Sequence, residues 1–146
     1  MIRRPGPWTA LALVLLCTIA YLRDPPWLLR VESGFRAWET GIDGTRSRWI
    51  GGHASFFVPA GAASLVMPVR TTFAAADEPP ITLSVTVDDR SAAVAVLASP
   101  GWHQVTVPLP RGGTRRVRRI DVRVDRTRPG NRGAQIGEIR LRPSGG

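Results

Sequence analysis

Pro80–Pro110 reads PITLSVTVDDRSAAVAVLASPGWHQVTVPLP, and its patterning decides the fold. Ile81, Leu83, Val85 and Val87 are apolar, with Thr82, Ser84 and Thr86 between them. Successive side chains of a strand point to opposite faces, so this segment has one apolar and one hydroxyl-bearing face. Asp88-Asp89-Arg90 supplies turn chemistry, because Asp bonds its own backbone and tolerates tight turns. Ala92–Leu97 returns, Ser99-Pro100-Gly101 turns again, and Trp102–Leu109 makes a third pass. Such a meander predicts an antiparallel sheet with one buried face, which demands a second layer to cover it.

Toward the C-terminus, Val117–Val124 alternates as clearly. Ile120, Val122 and Val124 share one side, and Arg119, Asp121, Arg123 and Asp125 the other. Arg126–Gly133 is a polar loop turning at Pro129-Gly130-Asn131, and Ala134–Leu141 is a closing strand. Gly137 inside that strand marks a bulge or a close backbone approach. Toward the N-terminus, Leu65–Val69 and Ala54–Val58 are apolar runs punctuated by Pro59 and Gly61, as buried strands are. Arg48-Trp49-Ile50 reads as a short strand ahead of Gly51-Gly52, and Thr71–Pro80 as a loop. The expectation is an all-β, antiparallel two-sheet β-sandwich, jelly-roll-like, with about seven or eight strands over residues 48–142. Residues 143–146 form a frayed tail.

Residues 1–22 read as a targeting element. Arg3 and Arg4 precede a stretch that stays uncharged until Arg23, with its apolar centre at Trp8–Leu22. In one reading a signal peptide ends near Ala20, with Thr18 and Ala20 as the small residues before the cut. In the other, favoured reading, the helix stays in the bilayer as an anchor, with Trp8, Tyr21 and Trp27 near the interfaces. Arg3 and Arg4 place the N-terminus in the cytoplasm, which puts the remainder outside the cell membrane as a single-pass protein. The bare Arg3-Arg4 pair is too slight for twin-arginine export, and Val14-Leu15-Leu16-Cys17 lacks the small residue of a lipid-modified cysteine. Asp24-Pro25-Pro26 stops the helix, so residues 23–47 read as a linker and opening segment.

Composition narrows the classes. The 146 residues hold 13 Pro and 15 Gly, as an all-β domain rich in turns does. The formal charge of +9 comes from Arg alone, without a single Lys, which reads as coding bias as much as a selected surface. Cys17 is the one cysteine, so no internal disulfide is available and packing alone holds the domain together.

Chemistry is sparse. The histidines are His53 and His103, and no nucleophile elbow surrounds either one. His103 shares parity with Val105, Val107 and Leu109, at the end of a core-facing row. A hydrolase would need a pocket in which His53 or His103 meets a carboxylate; no enzymatic activity is expected. Asp77 and Glu78 lie at one end of Ile81–Val87 and Asp88 and Asp89 at the other, roughly 20 Å apart, so the pairs cannot share an ion. Solvated turn carboxylates are expected there rather than a calcium site, with no metal and no cofactor.

Trp38, Trp49, Phe56, Phe57 and Trp102 are either core fillers or a glycan platform, and core packing is the favoured reading. Trp102 follows a Pro-Gly turn and is the best placed at a rim. Candidate ligand contacts are Trp49, Trp102, His103 and Arg132. Arg115, Arg116, Arg118 and Arg128 are candidates for contact with an anionic membrane or envelope polymer, beside the blander reading of a solvated basic surface. No aromatic follows Trp102, which argues against nucleic acid as a partner.

Taken together, Trp49 with Ala54–Val58, the Leu83–Asp89 strand and turn, Gly101-Trp102 leading into Val105–Pro110, and Pro129–Gly133 ahead of Ile136–Leu141 resemble a known arrangement. It is that of galactose-binding-like jelly-roll β-sandwiches, accessory modules of bacterial envelope proteins such as those appended to membrane glycosyltransferases. Here one apolar stretch stands where those enzymes have many spans. The resemblance implies a β-sandwich module of the cell envelope, and speaks to fold and location more than to ligand; with the apolar stretch it leads to the expectation of a membrane-anchored, non-catalytic extracytoplasmic module binding envelope carbohydrate. The alternative is a protein–protein adaptor that docks a membrane partner.

Overall fold

The computed structural model describes residues 6–71, 73 and 78–143. Arg3 and Arg4, Asp77 and the tail residues 144–146 lie outside the described residues. Helix α1 (Pro7–Arg23) and a 3₁₀ turn (Pro26–Arg30) precede ten strands. These are β1 (Glu32–Phe35), β2 (Glu39–Thr40), β3 (Arg46–Pro59), β4 (Ala62–Thr71), β5 (Ile81–Val87), β6 (Arg90–Leu97), β7 (His103–Pro108), β8 (Val117–Val124), β9 (Ala134–Gly137) and β10 (Arg140–Pro143). The strand excess over the sequence expectation comes from short pieces: β1 and β2 lie inside residues 23–47, and the closing segment is split into β9 and β10.

β3 joins the two layers. Its residues 47–50 pair with β9 and residues 53–59 with β8, both along one edge, while β2 and then β1 line the other edge. The change of partner falls at Gly51-Gly52, so the expected short strand before the glycines is the first half of a 14-residue strand. In sheet I the order runs β7, β4, then β9 and β10 in tandem, then the first half of β3. In sheet II it runs β6, β5, β8, the second half of β3, then β1. All pairings are antiparallel, and the protein is a jelly-roll-like β-sandwich.

The core lies between the inner faces. Ile81, Leu83, Val85 and Val87 are buried from β5, and Ile120, Val122 and Val124 from β8. Leu65, Met67 and Val69 of β4, Val105 and Val107 of β7, and Ile136 of β9 face them. Phe56 points inward against Phe35 with ring centroids 5.9 Å apart, while adjacent Phe57 points outward, as a strand requires.

The β5–β6 turn holds Asp88 at φ 49° and Asp89 at φ 65°, the left-handed pair that matches the twist of a two-residue hairpin. Its Asp88 carboxylate also accepts from the Arg119 backbone N–H at 3.0 Å and from Arg118 at 2.9 Å, tying the hairpin to β8. In the Gly41–Gly44 turn the Thr45 backbone N–H donates to Asp43 Oδ1 at 3.0 Å and holds that carboxyl below its ordinary pKa.

Helix α1 has no buried residue; Leu13, Leu16 and Leu22 are each more than half exposed. The stretch Pro7–Arg30, α1 with the 3₁₀ turn, is long and apolar enough by length and composition to cross a membrane.

Leu83 is fully buried at the centre of β5, so Leu83→Ala leaves a cavity that the two sheets cannot close. Chemical denaturation of that variant is expected to show a loss of about 2–5 kcal/mol with an unchanged denaturant slope. A loss under about 0.5 kcal/mol, the range of surface substitutions, would contradict the packing described.

Candidate functional site

The outer face of sheet I carries a transverse row of polar and aromatic side chains. Register places Trp49 of β3 opposite Gln135 of β9, and Gln135 opposite Arg70 of β4. Directly paired residues share a face, so the three side chains stand side by side. Arg70 donates to Gln135 Oε1 from Nε at 2.9 Å and from Nη2 at 2.6 Å. Its guanidinium lies over the Trp102 ring, 5.0 Å from the centroid. At the far end, Arg132 covers Trp49 at 5.5 Å. The row therefore runs Arg132, Trp49, Gln135, Arg70, Trp102.

Trp102 reaches this face for a local reason. The Ser99–Gly101 turn, with Gly101 at φ 108°, delivers it immediately before β7. His103 pairs with core-facing Val69 and points inward, so Gln104, paired with Pro68, takes the outer side beside Trp102. Gly137 is the floor: a Cβ there would meet Pro68 at 3.2 Å and the Trp102 ring at 3.7 Å. The backbone approach expected at Gly137 is instead one of side chains, Pro68 first and the indole next. Trp102 Nε1 is buried and has no hydrogen-bond partner, an indole donor left unused. Beyond Pro68 the same face opens into a groove of about 480 Å³ lined by Val66, Pro68, Gln104, Thr106, Arg140 and Arg142. Polar donors over an apolar strip, beside a half-buried indole, suit a flat, hydroxyl-rich ligand.

Trp49 is not bare: it is 7% exposed. The Arg126–Gly133 loop folds over it, held by Arg128 to Arg132 backbone bonds and by Arg36 donating to the Gly130 carbonyl. Asn131 takes φ 55° and lays its side chain on Gly51, where a Cβ would fall 2.6 Å from Asn131 Cγ.

Of the candidate ligand contacts, Trp49, Trp102 and Arg132 share the outer face of sheet I, and His103 is on the other side of β7, with Nε2 at 2.9 Å from the Ser99 carbonyl. Among the anionic-surface candidates, Arg115 and Arg116 come together at Asp24, which accepts Arg115 Nε at 3.3 Å and the Arg116 backbone N–H at 3.2 Å. Arg118 is buried and donates to Asp88, Pro110 and Gly112. Arg128 holds both Glu78 oxygens at 2.6 Å and lies over Phe73. Among the described residues, no group of three His, Cys, Asp or Glu side chains is placed to hold a metal ion.

Sequence reasoning missed Arg70, Gln135, Gln104, Arg140 and Arg142. Their only signal is parity within strands, because strand order alone makes Arg70 and Gln135 neighbours. It also missed the company of His53. On the outer face of sheet II, His53 Nε2 lies 2.9 Å from Asp121 Oδ1, which also accepts from Arg119 at 2.9 Å. Asp121 is 3% exposed although it belongs to the outward row of β8, because those neighbours cover it. Ser55 Oγ pairs with Ser33 Oγ at 2.8 Å and not with His53, so no nucleophile–base hydrogen bond forms.

No protein-family model and no curated protein matches the sequence. Solved structures do match the fold. A family two carbohydrate esterase from Cellvibrio japonicus superposes with TM-score 0.50 and 12% identity, over 77% of this chain and 31% of that one. A salicylyl-acyltransferase from a tetracycline biosynthetic pathway gives TM-score 0.51 and 16% identity, over 78% and 37%. A carbohydrate binding module from Cellvibrio mixtus lichenase 5A, in complex with cellotriose, gives only 0.45 with 14% identity, over 81% and 93%. The chain spans about a third of the length of the solved structures it matches first. At these identities the likeness is one of fold, the jelly-roll-like β-sandwich that the sequence resemblance implied.

Gly51→Ala is expected to destabilise the protein by about 1–3 kcal/mol through overpacking against Asn131. Asn131→Gly removes the clashing side chain and tolerates the positive φ, so the double variant recovers most of that loss in thermal melts. Strictly additive losses would show that the loop does not rest on Gly51.

Proposed function

We propose that the chain is a non-catalytic accessory module, anchored in the membrane by α1 and displayed outside the cell, whose sheet I outer face binds envelope carbohydrate. The observation that carries this reading is the meeting of Trp102, Arg70 and Gln135 on the outer face of sheet I, next to the groove beyond Pro68. Gln104, Thr106, Arg140 and Arg142 supply donors and acceptors for sugar hydroxyls, and Pro68 and Val66 supply apolar contact.

Anchoring is supported by the exposed apolar surface of α1, which lipid covers at no cost and water does not.

The adaptor reading has one observation of its own. Among the described residues strand β6 pairs only with β5, and its outward Val94 and Val96 are 64% and 60% exposed, a sheet edge able to receive a partner. Crosslinking in native membranes separates the two readings, because a stoichiometric protein partner captured through Val94→Cys supports the adaptor.

Titration of the full chain with purified envelope polysaccharides, followed by tryptophan fluorescence and calorimetry, tests the carbohydrate reading. One class of polysaccharide is expected to bind, and Trp102→Ala to weaken it about tenfold or more, the equivalent of ~1.4 kcal/mol. Binding by none of them, or binding untouched in Trp102→Ala, would refute it.

A further inference from the structure

We infer that the loop between β7 and β8, Arg111–Arg116, is seated on the anionic headgroups of the bilayer that α1 enters, so that the sandwich stands on the membrane in a fixed orientation. This inference rests on the reading of α1 as an anchor. Its own basis is the junction between helix and domain.

A domain on a free flexible linker can swing about it, whereas here the helix end is bonded to the domain. Arg23, the last residue of α1, donates from Nη2 to Thr114 Oγ1 at 3.1 Å. Asp24 follows directly, is 7% exposed, and accepts Arg115 Nε and the Arg116 backbone N–H. Pro25 is buried as well. The C-terminal end of the helix is therefore hydrogen-bonded to the loop itself, and whatever depth the helix end takes, Thr114–Arg116 shares within a few ångströms. For a helix spanning the bilayer, that depth is the headgroup layer.

The loop has the chemistry of that layer. Arg111, Arg115 and Arg116 are exposed, and no carboxylate lies between residues 111 and 116. Their guanidinium forks match phosphate oxygens, and each basic group close to an anionic leaflet strengthens binding about fivefold. Gly112 at φ 78° and Gly113 at φ 96° let the chain lie flat between the arginines. Trp27, three residues beyond the helix-ending Asp24, is 54% exposed, an interfacial residue type at the interfacial position. Arg118 is excluded from this surface, because its guanidinium is turned inward to Asp88 and the loop carbonyls and fixes the loop from behind.

The test uses the full chain in lipid nanodiscs of phosphatidylcholine alone and of phosphatidylcholine mixed with phosphatidylglycerol, read by hydrogen exchange over residues 109–118. Exchange in the loop is expected to slow about fivefold or more in the anionic discs and to recover in high salt, as a screened contact does. Arg111→Gln combined with Arg116→Gln leaves Arg115 Nε and the Arg116 amide on Asp24, and is expected to abolish the difference without changing the melting temperature. A chain that enters neither disc overturns the anchor reading and the inference with it. If the chain inserts but the loop exchanges equally in both discs, the inference fails and the anchor reading stands.

Discussion

The change of partner at Gly51-Gly52 in β3 is the constraint on which the rest of the molecule depends. A strand that pairs with β9 in one layer and with β8 in the other closes two sheets into one hydrogen-bonded network without a crossover loop. It also places residues of opposite fate a few positions apart. Trp49 ends up on the outer face of sheet I, Ile50 in the core, and His53 on the outer face of sheet II. The glycines serve a second purpose, because Asn131 occupies the space that a side chain at position 51 would need, and the loop carrying Arg132 settles over Trp49. Fold closure and the assembly of the candidate site are consequences of one bend.

Several of the arginines that give the chain its charge of +9 also cover aromatic rings. Arg46 and Arg48 lie over Trp38, Arg48 also over Phe35, and Arg126 and Arg128 over Phe73. Arg48 is 7% exposed and takes Glu32 at 2.5 Å while it stacks. A planar, weakly hydrated guanidinium can cover an aromatic face and still reach a carboxylate, which a lysine ammonium cannot do as well. In a cysteine-free sandwich these lids replace the cross-links that small exported domains use to secure loops. The loops at both ends are fastened this way.

Much of the scaffold was legible because burial on one face writes itself as a period of two. Ile81–Val87 and Val117–Val124 have the facing that alternation predicts, and the Asp88-Asp89 turn has the backbone that its residues favour. The inward His103 follows from the same parity. Less was legible where pairing decides the environment. Asp121 alternates like a solvated residue, with Arg119 beside it in the same row, but the strand order adds His53 of β3 and buries it. Trp49, Trp102 and Arg132 were singled out one by one, yet nothing local says that they meet through Arg70 and Gln135. That contact needs the register of β3, β9 and β4 together. β1 and β2 were hidden for a related reason: at four and two residues they are too short to show a period and exist only as edges for β3.

The junction at Asp24 couples α1 to the sandwich. A buried carboxylate at the end of an apolar helix is costly unless donors meet it, and the two that do belong to a loop 91 and 92 residues away in the chain. The domain cannot swing about the helix end without stripping those donors from Asp24. Rotation that would be free on a glycine-rich linker is therefore coupled to the stability of the sandwich. The sandwich is held in one orientation relative to α1 by these bonds.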